Sequence, residues 1–199
     1  MKKSIICLFV ILFQMCFIFF FYIHSNLSYA TSAQEFPDIS AKSGLLIEYN
    51  SGNVIYEKNA SERLPIASMT KLATLAVVFD YLDKGVIKEN DITRVSETAA
   101  AVGGSSAFLD SGSSYKVSDL IKSVIIASAN DSSVALAECV AGTEEVFVSK
   151  MNKFAKALNL QNTNFENCTG LPSSNHYSSA SDIAMIYKSM CNNEIYKKQ

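Results

Sequence analysis

Leu64-Pro65-Ile66-Ala67-Ser68-Met69-Thr70-Lys71-Leu72-Ala73-Thr74 stands where a proline-containing loop gives way to an apolar helix, and its reading decides the fold. Leu72, Leu75, Ala76, Phe79 and Leu82 recur at helical spacing, so a helix is predicted from Ser68 to Leu82, with Lys84-Gly85 as its stop. Ser68 and Lys71 lie three apart, on one helix face and one turn from each other, so the lysine amine can reach the serine hydroxyl. A neutral lysine there takes the hydroxyl proton as the oxygen attacks a carbonyl. Burial and the positive end of the helix dipole both lower a lysine pKa toward that neutral state. The helix start also favours a developing oxyanion. An N-cap serine followed by a solvated first-turn lysine would show the same letters, so the rest of the chain has to decide.

Upstream, Gly44-Leu45-Leu46-Ile47-Glu48-Tyr49 and Val54-Ile55-Tyr56-Glu57 flank Asn50-Ser51-Gly52-Asn53, which predicts an antiparallel hairpin around an Asn/Gly turn. Downstream, residues 89–115 read as loop, with Gly103, Gly104 and Gly112 and only short apolar pieces. Helices return with Val117, Leu120, Ile121, Val124 and Ile125 on one face, then over 132–141, then from Glu144 to Leu158, and last from Ala180 to Met190. Neither repeats nor a linker divide this stretch.

The N-terminus carries different information. Lys2 and Lys3 precede an apolar run from Ile5 to Ile23, and Ser28-Tyr29-Ala30 has small residues at its first and third positions, which predicts an export signal over 1–30 cleaved after Ala30. The run is long for a signal core, so an uncleaved anchor is the alternative, and membrane contact is expected only through that segment. In either case the chain beyond it lies outside the cytoplasmic membrane. Residues 31–42 read as a polar lead-in to a domain over 43–199. The 199 residues are 49% hydrophobic and 18% charged, enough for one globular core. Cleavage would leave 15 basic against 19 acidic residues and no basic cluster, which argues against nucleic acid as a partner. Cys139, Cys168 and Cys191 are scattered and no C-x-x-C or H-E-x-x-H spacing occurs, so neither a disulfide framework, a metal nor a cofactor is expected.

Sixty residues after Ser68, Ser128-Ala129-Asn130 falls between two predicted helices, where a second hydroxyl and a carboxamide can turn toward the same cleft. With these residues in view, the block 64–74 resembles the active-site segment of the serine-type D-alanyl-D-alanine carboxypeptidases, the low-molecular-mass penicillin-binding proteins, and Ser128-Ala129-Asn130-Asp131 resembles their second motif. The hairpin around Gly52, Gly104-Ser105-Ser106, Phe147 with Met151-Asn152, and Thr169-Gly170-Leu171 through His176-Tyr177-Ser178-Ser179-Ala180 follow in family order, over about residues 38–190. The resemblance implies an α/β fold of the penicillin-binding-protein/β-lactamase kind, helices on an antiparallel sheet plus a helical lobe. It implies Ser68 as acylated nucleophile, Lys71 as its base, Ser128 as proton relay to the leaving D-alanine and Asn130 as ligand of the substrate amide. The implied partners are peptidoglycan stem peptides ending in D-Ala-D-Ala, with β-lactams as covalent inhibitors, acting at the outer face of the membrane or in the cell wall. Ala129 stands where the resemblance implies glycine; were that position to need positive φ, alanine would cost about 1 kcal/mol.

A third motif, K-T-G or a relative on a sheet strand, is implied but does not occur after Ala180. The expectation is therefore a domain whose C-terminal sheet strands are missing and whose catalysis is impaired. A serine β-lactamase and a non-catalytic remnant of the family are the alternative readings. Two further residues invite a role. His176 lies in a Ser/Asn-rich loop and the chain has no G-x-S-x-G elbow, so loop packing is expected rather than a Ser-His-Asp triad, with Ser179 or Ser181 capping the next helix. Glu166 lacks the E-x-x-L-N context of a deacylating base and reads as an exposed loop glutamate.

Overall fold

The computed structural model describes residues 14–15, 38–191 and 193. The predicted export segment falls almost entirely outside them. The chain divides into two units, Met1–Ile39 and Ser40–Gln199, and the fold below is that of the second.

The hairpin forms as the alternation predicts. Strand β1 (Gly44–Ile47) pairs antiparallel with β2 (Val54–Lys58), with a register shift between Leu46 and Ile47. Its turn is set by Gly52 at φ 74° and by Glu48, whose carboxylate accepts from the Asn50 and Ser51 N–H groups and from the Ser51 hydroxyl. Those bonds, the Ser51 hydroxyl first, hold the Glu48 carboxyl down at about 2. Leu46, Val54 and Ile55 remain exposed on the hairpin.

A 3-10 turn, Ala67–Met69, leads into helix α1 (Thr70–Asp83), two residues past the predicted start because Ser68 and Met69 belong to the tighter turn. Ala73 to Phe79 are all buried, so α1 is apolar on nearly every side and forms the axis of the domain. It ends at Lys84 and Gly85, the latter at φ 67°. Around it pack α4 (Asn130–Ala141), α5 (Glu144–Ala157) and α6 (Ala180–Cys191). Phe79, Phe147, Phe165, Leu136, Met151 and Ile186 fill the space between them. The Ser179 hydroxyl accepts from Asp182 N–H and caps α6, the first of the two predicted caps.

The stretch 89–115 holds more order than the loop expected there. Strand β3 (Ile92–Arg94) pairs with β4 (Ser114–Lys116) as a separate two-stranded sheet, with the short helix α2 (Glu97–Ala101) between them, capped by Ser96. Strands of three residues are too short for an alternation to register. Helix α3 (Val117–Ala127) follows, burying Val117, Leu120, Ile121 and Val124, while Ile125 stays exposed beside the cleft described next.

Candidate active site

Ser68, Lys71 and Ser128 line one cleft of about 220 Å³, with Leu72, Leu75, Val124, Ile125 and Met190 as its apolar walls. Ser68 is exposed in the 3-10 turn, whereas Lys71 is 4% exposed. The Lys71 Nζ lies 3.3 Å from Ser68 Oγ and donates to the Thr169 carbonyl at 2.8 Å. Burial pushes the Lys71 pKa below the ordinary lysine value, with the neighbouring Cys168 acting weakly in the opposite sense. The Thr169 carbonyl takes one amine N–H, which turns the rest of the nitrogen toward Ser68.

Thr169 belongs to a segment that runs along α1. The Cys168 carbonyl accepts from Thr74 Oγ1 at 2.7 Å, and Thr70 Oγ1 lies 2.7 Å from His176 Nε2. Gly170, at φ 87°, approaches so closely that a Cβ there would sit 1.9 Å from the Ala67 carbonyl oxygen. The four touched positions, 67, 70, 71 and 74, recur at i, i+3, i+4 and i+7, a single stripe of the helix approach. The segment is tied down from outside by Asn152 on α5, whose carboxamide exchanges two hydrogen bonds with the Phe165 backbone, and by Glu144, which accepts from Cys168 N–H. Bridges between Leu64 and Ser178 and between Asn164 and Tyr177 close its ends. None of this brace was read from the sequence. Its contacts to Lys71 and Thr74 are made by backbone carbonyls, which carry no residue signature; Gly170 beside Thr169 was the one available hint.

The second serine turn settles one expectation. Ala129 is extended at φ −68° and fully buried, so it carries no left-handed strain; Ser128 does, at φ 54°, where it closes α3 and reverses the chain into α4. The reversal fixes the strained residue as the C-cap, one position before Ala129, so the condition under which alanine would carry a cost is not met. Asn130 is 4% exposed at the start of α4 and is not among the residues lining the cleft. Its Nδ2 donates to the Gly103 carbonyl at 2.6 Å, and Gly104 passes so near that a Cβ would meet that nitrogen at 2.7 Å. Asp131, fully buried, accepts from Ser106 Oγ and from the N–H groups of Ala107, Leu109 and Ser132. Burial raises its pKa, but these donors outweigh it and hold the carboxyl below the usual range. Asp131 thus fastens the Gly104-Ser105-Ser106 loop beside Asn130, a role the sequence reading did not assign.

His176 lies outside the cleft-lining set, and Glu166 is exposed, its carboxylate bonded to Ser173 and to Asn175 N–H, as expected of a loop residue.

The D-alanyl-D-alanine carboxypeptidase family profile matches residues 30–199. The chain is 51% identical over 158 residues to D-alanyl-D-alanine carboxypeptidase DacF of Bacillus subtilis, covering 79% of this chain and 41% of that protein. It is 40% identical over 167 residues to DacA of Escherichia coli K12, covering 81% and 41%. Penicillin binding protein 5 from Haemophilus influenzae superposes with a TM-score of 0.78 at 37% identity, over 81% of this chain and 48% of that one. The chain thus spans about two-fifths of the length of these curated relatives. Likeness of sequence and likeness of fold run over the same four-fifths of the chain and agree: it belongs to the D-alanyl-D-alanine carboxypeptidase family.

Proposed function

We propose that the protein carrying this chain is a serine D-alanyl-D-alanine carboxypeptidase that acts on peptidoglycan stem peptides through an acyl-enzyme on Ser68. The observation that carries the reading is the Lys71 amine, buried, depressed in pKa and 3.3 Å from Ser68 Oγ. In the proposed step, Lys71 takes the Ser68 proton as Oγ attacks the carbonyl between the two terminal D-alanines. The tetrahedral oxyanion collapses, the C–N bond breaks, and the leaving amine of D-alanine receives its proton through Ser128, which lines the same cleft. Water then hydrolyses the Ser68 ester. The resemblance assigns Asn130 to the substrate amide, a role that requires its carboxamide to leave the Gly103 carbonyl, to which it is bonded outside the cleft lining. No Lys-Thr-Gly, Lys-Ser-Gly or His-Thr-Gly follows Ala180, so the proposal assigns the terminal carboxylate of the substrate to no residue of this chain. β-Lactams enter as mimics that acylate the same serine.

The export expected from residues 1–30 fits the same substrate, because peptidoglycan lies outside the cytoplasmic membrane. Cleavage after Ala30 should give a mature protein beginning at Thr31, and N-terminal sequencing of the secreted or membrane-released form decides between that and an uncleaved anchor. The activity itself is tested on the purified full-length protein with a D-Ala-D-Ala peptide and with a penicillin. Release of D-alanine that Ser68→Ala abolishes is the expected result. Rapid penicillin turnover without D-alanine release would select the β-lactamase reading instead.

A further inference from the structure

We infer that His176, as a neutral imidazole protonated at Nε2, is a positioning residue for the Ser68–Lys71 pair and acts through Thr70. The inference rests on the reading of Ser68 as the acylated residue. Both ring nitrogens are engaged: Nε2 lies 2.7 Å from Thr70 Oγ1, and Nδ1 accepts from the Glu166 N–H at 3.1 Å. A backbone N–H can only donate, so Nδ1 presents its lone pair, the ring proton sits on Nε2, and that N–H donates to the Thr70 hydroxyl. Thr70 is fully buried and His176 is 6% exposed, with the Phe165 ring edge-on at 5.8 Å, so neither partner exchanges this bond for water.

Thr70 is the residue between the serine turn and the lysine, the first of α1. Fixing its side chain fixes the point where the strained Ala67–Ser68 turn (Ala67 φ 45°) enters the helix. The imidazole lies in the same stretch that supplies the Thr169 carbonyl to Lys71 and the Gly170 backbone against Ala67. His176 therefore latches the far end of that stretch to the residue between the two reactive groups, without facing the cleft itself.

The latch has a protonation limit. An imidazolium would place an N–H at Nδ1 against the Glu166 N–H, two donors meeting head on. Burial pushes the His176 pKa below its ordinary value, while the Glu166 carboxylate opposes this. Of the titratable groups on the elements around it, Glu166 and Cys168 on its own loop, Lys71 on α1 and Glu144 on α5, the Glu166 carboxylate is the one that acts on the imidazole. A folded-state pKa below the unfolded value means that the latch contributes fully above about 6.5 and is lost as pH falls through the folded value.

The test uses the full-length protein and benzylpenicillin. Nitrogen-15 spectra of the parent at neutral pH should show Nδ1 unprotonated and Nε2 protonated, with titration below the usual histidine range. His176→Ala and Thr70→Val should each slow the first-order acylation step about tenfold, with little change in the affinity of the preceding complex. The double variant should be no slower than either single one. His176→Gln, which can still donate to Thr70 and accept from Glu166, and Thr70→Ser should recover most of the rate, and His176→Gln should lose the part of the acid limb that the parent owes to the imidazole. A protonated Nδ1, additive losses in the double variant, or a parent-like acid limb in His176→Gln would overturn the inference. Should His176→Ala fail to fold, the glutamine and serine variants and the spectra of the parent still decide. A parent that is never acylated at Ser68 refutes the functional reading, whereas the tautomer and titration measurements judge the latch separately.

Discussion

The turns that present Ser68 and Ser128 both place a non-glycine residue in the left-handed region, but they put it in different places and hold it by different means. At the first, the strain falls on Ala67, next to the serine, and a second segment of backbone, Gly170, is pressed against the Ala67 carbonyl. At the second, the strain falls on Ser128 itself, and the chain beyond it is held by helix α4 and by Asp131 fastening the neighbouring loop. Each such residue costs on the order of 1–2 kcal/mol, so each persists only because its surroundings over-determine it. The difference teaches that the Ser68 turn depends on a contact about a hundred residues away, whereas the Ser128 turn depends on contacts within about 30.

Gly170→Ala should break the comparison hardest. Its Cβ has no room beside a backbone oxygen and the site needs positive φ, so the brace must shift away from α1. A displacement of about 1 Å at Ser68 or Lys71 is worth on the order of 100-fold in rate, and penicillin acylation in Gly170→Ala should fall by that much. Stopped-flow labelling measures it; a loss under about threefold would show that the brace does not set the nucleophile geometry.

Asp131→Ala attacks the second turn. It leaves the half-buried donors of Ser106 and Ala107 and the buried ones of Leu109 and Ser132 without their acceptor, and should cost about 3 kcal/mol in denaturant unfolding. Because the Asp131 pKa is depressed in the folded state, its contribution is full above the unfolded carboxyl value of about 3.9 and disappears as pH falls through the folded value. The parent should therefore lose stability below about pH 4 more steeply than Asp131→Asn does. Parallel acid-unfolding curves for the two proteins would contradict the role given to this carboxylate.

The smallest effects have opposite signs. Ala67→Gly relieves a left-handed alanine and should stabilise by up to about 1 kcal/mol, whereas Ala129→Gly, at an ordinary φ and full burial, should destabilise by about 0.5–1 kcal/mol. Thermal unfolding of the pair decides, and equal signs would mean that the strain is not where the backbone places it.

How much of this was legible in the sequence follows from the range of each interaction. The hairpin around Gly52 and the helices carrying Leu72–Leu82, Val117–Val124 and Phe147–Met151 are written in local periodicity, and the structure holds them within a few residues. Ser68 and Lys71 were legible because three-residue spacing on a helix is itself a geometry. The pairing of β3 with β4 was not, since three-residue strands 19 residues apart leave no pattern. The resemblance to a glycine at Ala129 left open whether that position needs positive φ, and the C-cap that decides it, Ser128, depends on where α3 stops. The brace was invisible because a carbonyl of Thr169 or Cys168 looks like any other until the fold brings it to Lys71 and Thr74.

The most direct test of the account is to map the penicillin adduct. Incubate the full-length protein with benzylpenicillin, quench in acid, and identify the modified peptide by mass spectrometry alongside Ser68→Ala and Lys71→Arg. The account predicts one adduct on Ser68, absent from Ser68→Ala and lost from Lys71→Arg because a guanidinium stays protonated and cannot take the serine proton. An adduct on another residue, or undiminished labelling of Ser68→Ala, would contradict it.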